Sequence, residues 1–90
     1  MTIVAVAIHD RAADEVYSAP APARHVHLAT EMRQMGQEGV WNELGYVRGF
    51  LDEKGAFLTR MEALAHVCEV DQPLKNAPNS NMGLFSEDLW

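Results

Sequence analysis

Ninety residues carry 13 acidic side chains against 7 basic ones, a formal charge of −6 with the four histidines neutral. One domain fits that length and two do not; a chain this short buries only about 60–65% of the surface its unfolded form exposes, so one small core is expected, helped by self-association. Duplex nucleic acid is disfavoured as a partner, because a phosphate backbone rewards clustered Lys and Arg. A lone cysteine, Cys68, excludes an internal disulfide and a Cys-x-x-Cys zinc site and suits a reducing compartment.

The stretch Met1 to Ile8 is apolar but short, lacks a basic start, and meets His9-Asp10-Arg11 at once. It fits neither a signal peptide nor a membrane span of roughly 20 apolar residues. Cytoplasm is therefore the expected location, with no membrane partner. Thr2 to Ile8 reads as a strand whose two faces are both apolar, as in a central strand covered on both sides. Glu15 to Ser18 reads as its antiparallel partner, although the loop between them has no Asn-Gly or Asp-Gly turn.

Ala19-Pro20-Ala21-Pro22-Ala23 reads as an extended connector, since proline fixes φ and removes a donor. A helix is expected from about Arg24 to Met35. Leu28, Met32 and Met35 form its stripe, Ala29 widens it, and Gly36 and Gly39 end it. Val40, Trp41 and Leu44 suggest a short helical turn over Glu38 to Gly45. Tyr46 to Leu51 and Ala56 to Leu58 read as strands around an Asp52-Glu53-Lys54-Gly55 turn.

Thr59-Arg60-Met61-Glu62 is a capping box, with the Thr59 hydroxyl and the Glu62 carboxylate each satisfying an amide of the first helical turn. Helix two is expected from Arg60 to about Glu69, turning Ala63, Leu64, Val67 and Cys68 inward. Gln72 to Gly83, with two prolines and three asparagines, reads as a flexible loop. Leu84 to Trp90 ends the chain with large apolar residues and reads as a docking tail. The whole is one α+β domain over residues 1–90: a small antiparallel sheet with two helices, expected to be oligomeric.

Arg24-His25-Val26-His27 opens helix one and Arg60 opens helix two. A basic residue at the positive end of a helix is unfavourable unless something negative sits nearby. Two readings follow. Either a phosphate meets the N–H groups and guanidinium there, or the arginines turn to water and to the chain's own carboxylates, with Glu87 and Asp88 the obvious partners. His25 and His27 fall on different helix faces, and His66 has only Glu62 and Glu69 as helical neighbours, so no metal site is expected. Cys68 reads as a small buried hydrophobe. No nucleophile–base set, acid–base pair, Gly-rich loop or phosphate-loop lysine stands out, so neither catalysis nor a cofactor is expected. Tyr46, Phe50 and Phe57 read as core, with a purine-stacking platform as the alternative.

The order of Pro22-Ala23-Arg24-His25, Gly49-Phe50, Gly55-Ala56-Phe57-Leu58-Thr59-Arg60-Met61-Glu62-Ala63 and Ser86-Glu87-Asp88-Leu89-Trp90 resembles a group of small phage and prophage proteins. That group is similar in turn to the Thoeris anti-defence sponge proteins of phages, which sequester nucleotide signals at subunit interfaces without cleaving them. The resemblance implies that Arg24, His25, Phe57 and Arg60 contact a nucleotide ligand. Arg24 and Arg60 would hold phosphates, His25 would add a hydrogen bond, and Phe57 or Phe50 would pack on a base. The chain departs from the group at Ala56, where relatives carry arginine, and at Arg48, where glutamine is usual; Arg48 joins the candidate contacts. The alternative class is an acidic inhibitor that binds a host defence protein, as an anti-CRISPR does, and a third is a structural phage component.

Overall fold

The computed structural model describes residues 2–36, 45–78 and 82–90. The helical turn expected over Glu38 to Gly45 and the helix stop expected at Gly39 fall in or against residues 37–44, outside the described residues. Four strands, β1 (Ile3–Asp10), β2 (Glu15–Pro20), β3 (Tyr46–Asp52) and β4 (Phe57–Thr59), form one antiparallel sheet in the order β2-β1-β3-β4. Two helices, α1 (His25–Gln34) and α2 (Arg60–Val70), are accompanied by a single helical turn that follows α2 in sequence, α3 (Ser86–Leu89). This is the expected α+β class, with one short helix more than the sequence suggested. No helix among the described residues is long and apolar enough to cross a membrane.

β1 is central, and its apolar faces explain why. Ile3, Val6 and Ile8 join Phe50 of β3, Leu28, Ala29 and Met32 of α1, and Ala63 and Val67 of α2 in one core. Ile3 reaches that face because the β1–β3 register slips between Ile3 and Ala5. A bulge adds one residue and reverses the alternation, which leaves Val4 41% exposed. Ala5 and Ala7 are buried on the opposite face. They are small residues set across the register from Ser18, Pro20, Gly49 and Leu51.

β2 runs two residues past its expected end, through Pro20 paired with Ala5. It lies at the sheet edge, where a proline's missing N–H can face away from the ladder. The β1–β2 turn is organised by Asp10, whose Oδ1 accepts from the amides of Ala12 (3.1 Å) and Ala13 (3.3 Å), and by Asp14 at φ 52. An Asp side chain folding onto the amides that follow it replaces the Asn-Gly turn.

α1 stops at Gln34, so Met35 leaves the stripe and is 62% exposed, while His25 enters it. His25, Leu28, Ala29 and Met32 keep the i, i+3, i+4, i+7 spacing of one face. The Thr59–Glu62 capping box forms as expected, with Thr59 Oγ1 accepting from the Glu62 amide at 3.2 Å and Glu62 Oε1 accepting from the Thr59 amide at 2.9 Å. α2 buries only Ala63 and Val67 fully. Cys68, expected on its inward stripe, is exposed, because one i, i+4 pair suffices to seat so short a helix on β3 and β4.

Gly49 sets the spacing of the sheet's far edge. A Cβ there would collide with the Leu58 carbonyl oxygen and come within 2.7 Å of Phe57 Cζ. Gly49→Ala is expected to destabilise the protein by about 1–3 kcal/mol, the usual cost of overpacking. Urea unfolding at unchanged slope checks it, and a midpoint equal to wild type would refute the steric account.

Candidate functional site

Both helices begin with the arginine that looked anomalous from sequence, and the chain's own last residues meet them. Gly83, at φ 87, brings the backbone so close to Arg60 that a Cβ would lie 2.7 Å from the Arg60 carbonyl carbon. The Leu84 amide then donates to the Arg60 carbonyl at 3.0 Å. The Arg60 guanidinium Nη1 donates back to the Leu84 carbonyl at 3.0 Å and stands 4.2 Å over the Phe85 ring, a cation–π contact. Leu84 is fully buried in the core.

The tail's far end meets α1. Arg24 Nη2 donates to the Trp90 carbonyl oxygen at 2.6 Å, and Arg24 Nη1 lies 3.7 Å from Glu87 Oε1. The Trp90 indole N–H donates to the Ala23 carbonyl at 2.8 Å. α1 has no acidic residue in its first turn, so Glu87 supplies the negative charge that this helix end favours. Between the two ties, Asp88 Oδ2 accepts from the Phe85 amide at 3.0 Å, and Ser86 and Asp88 are buried. Asn76 Nδ2 donates to the Glu87 carbonyl at 2.7 Å, and the Lys75 amide to that of Asp88 at 2.6 Å.

His25 is buried. Its Nε2 lies 2.7 Å from the Gly49 carbonyl, which only accepts, so Nε2 carries the proton. Its ring meets Phe50 edge-on at 5.0 Å. Burial lowers its pKa to about 4, helped by the positive charges of Arg60 and Arg48 and opposed by the Gly49 bond and Glu87. His25 is thus neutral at physiological pH and links α1 to β3. His27 Nδ1 accepts from the Arg24 amide at 3.0 Å.

Beside Arg60 a groove of about 540 Å³ opens, within the range of small-ligand sites. Tyr46, Val47 and Arg48 of β3 form one side, and Thr59, Arg60 and Met61 the β4–α2 junction. Met82 and, from the tail, Phe85 complete the lining. Of the six residues singled out from sequence, the groove therefore gathers Arg48 and Arg60. Arg24 and His25 are engaged by the tail and by Gly49. Phe50 is fully buried, and its ring belongs to the core. Phe57 is half-buried beside His9, ring centroids 5.7 Å apart. Tyr46, which the sequence offered as core or as a stacking platform, lines the groove, and sequence reasoning missed Met82 and Phe85; only their placement in the fold joins them. Among the described residues no cluster of three metal-ligating side chains occurs.

The chain matches the family model described as "Phage T4 y16D protein" over residues 2–90, and it belongs to that family. No curated protein and no solved structure matches it significantly.

His25 gives the fold a pH dependence of known sign. Its folded pKa, about 4, lies below the ordinary 6.5, so the unfolded chain binds more protons between those values. Stability is full above 6.5 and falls as pH drops toward 4. Asp52 and Glu53, held low chiefly by backbone N–H groups of Ala56 and Thr2, act further down, below the ordinary carboxylate range. Between pH 6.5 and about 5 the His25 loss is about 1–2 kcal/mol. Urea melts across that window are expected to show this slope in wild type and a flatter one in His25→Gln. Equal slopes would refute it.

Proposed function

We propose that this member of the family is a non-enzymatic phage counter-defence protein. It captures an anionic nucleotide signal, a cyclic ADP-ribose isomer or a cyclic oligonucleotide, in the groove beside Arg60 and holds it uncleaved. One observation carries this: two arginines and two aromatic residues line a single concavity of an acidic chain. Planar guanidinium forks match phosphate oxygens. Ring faces such as those of Tyr46 and Phe85 stack on any base. Two positive charges in one concavity of a protein with net charge −6 also mark where an anion would be drawn.

The resemblance to Thoeris sponge proteins, read from the sequence motifs, suggests the ligand class and the idea of sequestration. Arg48 and Arg60 take the phosphate-binding part, and Tyr46 or Phe85 the stacking part. Self-association, bringing two such grooves to one ligand, belongs to the same proposal.

A panel of cyclic ADP-ribose isomers and cyclic dinucleotides is expected to include one that raises the melting temperature by several degrees, because a ligand that binds only the folded state stabilises it. Denaturation should return that ligand intact. Arg48→Ala should weaken its binding about tenfold or more, the usual scale for a lost charged hydrogen bond. Native mass spectrometry of the protein from cells with an active defence system reads assembly and retained ligand together. Unchanged melting across the panel would overturn the proposal. Salt-sensitive co-purification of a host protein would favour the acidic inhibitor, and recovery in purified particles a structural component.

A further inference from the structure

We propose that Arg24 is a positioning residue for the groove: it clasps the end of the chain and so holds the segment that forms the groove's tail-side wall. Arg24 does not line the groove. Its guanidinium holds the Trp90 carbonyl at 2.6 Å, and the preceding residue, Ala23, holds the Trp90 indole at 2.8 Å. At the near end Arg60 holds Leu84 and Phe85. The groove's wall residue Phe85 therefore belongs to a segment held by Arg60 at one end and by Arg24 at the other.

What lies between the ties is a single helical turn, Ser86–Leu89. A helix of four residues has no stability of its own, because nucleation costs more than one turn of hydrogen bonds returns. It persists because both ends are held. That turn presents Asp88 to the Phe85 amide at 3.0 Å, which fixes the backbone from which the Phe85 ring reaches Arg60. Loosening the clasp at Trp90 thus loosens Asp88, then Phe85, then the wall. Lys75 and Asn76 keep part of the turn through the Asp88 and Glu87 carbonyls, so the wall is weakened rather than abolished. By linkage the coupling runs both ways: a ligand that touches Phe85 must also protect the tail as far as Trp90.

The binding half rests on the groove being a nucleotide site; the clasp itself does not. Hydrogen exchange of the full chain separates them. Arg24→Ala is expected to speed exchange of the amides at Leu84, Asp88 and Trp90 while those of β1 stay protected, and Arg24→Lys to restore part of the protection. Unchanged exchange at Asp88 and Trp90 in Arg24→Ala overturns the clasp, whatever the protein binds. With a cyclic dinucleotide or cyclic ADP-ribose isomer that shifts wild-type melting, Arg24→Ala is expected to bind about tenfold more weakly. The same ligand should slow exchange at Trp90 in wild type. Wild-type affinity in the variant, or no added protection at Trp90, overturns the coupling. A wild-type protein that binds none of these ligands overturns the nucleotide site and the coupling with it, while the exchange arm still decides the clasp.

Discussion

Two guanidinium groups at the positive ends of two helices hold the last seven residues of the chain, and much else depends on that hold. Arg24 sits at the start of α1 and Arg60 at the start of α2, positions where a positive charge opposes the helix dipole unless electron-rich groups face it. The tail brings the Leu84 and Trp90 carbonyl oxygens, the Glu87 carboxylate and the Phe85 ring. In exchange Leu84 enters the core with no exposed surface. For a domain of this size, with few large side chains fully buried, a terminal leucine is a substantial part of the apolar area removed from water. The polar ties and the buried side chain support each other: without Leu84 the arginines would hold a segment that gains little, and without the arginines the segment that carries Leu84 would lose its ties to both helices.

A second junction, at Gly49, joins the helices to the sheet. The absent side chain lets β4 and the Phe57 ring close over β3, while the carbonyl turns to His25 of α1. His25 therefore acts as a core residue with a polar tip. It fills the first position of the α1 stripe, packs on Phe50, and satisfies a backbone acceptor that would otherwise be buried. The neutral imidazole is the form that suits this place, with burial and two nearby arginines both opposing a further proton.

Much of the fold was legible because local chemistry decides it. The unbroken apolar run of β1, the Thr59–Glu62 box and the Asp52–Gly55 turn each carry their cause within a few residues. The β1–β2 turn was readable too, had Asp10 been weighed as a side chain able to bond the next amides. The α1 stripe held a similar clue, since His25, Leu28, Ala29 and Met32 share one face, and that spacing argues for a buried histidine. The anomaly of arginines at helix starts was legible, and so was its rule that something negative must come near. Glu87, which comes within 3.7 Å of Arg24, was legible as a partner; the Leu84 and Trp90 carbonyl oxygens were not, because backbone acceptors leave no mark in a sequence. The groove is a product of tertiary placement alone: Tyr46, Arg60 and Phe85 belong to three elements with no common period.

Arg60 is where these constraints meet, and its several roles limit what can be learned by removing it. The residue opens α2, its carbonyl receives the Leu84 amide, its guanidinium holds Leu84 and Phe85, and its flank lines the groove. A truncation there removes a tail tie and a candidate anion contact together, so lost binding would not separate a missing charge from a displaced wall. Arg48 and Arg24 divide the question. Arg48 lines the groove from β3, so its removal changes the charge on that side of the groove. Arg24 holds the tail away from the groove, so its removal reads the wall. Additive effects of the two substitutions would place ligand charge and tail position in separate steps, whereas strong non-additivity would make the tail's docking and the ligand's capture one event.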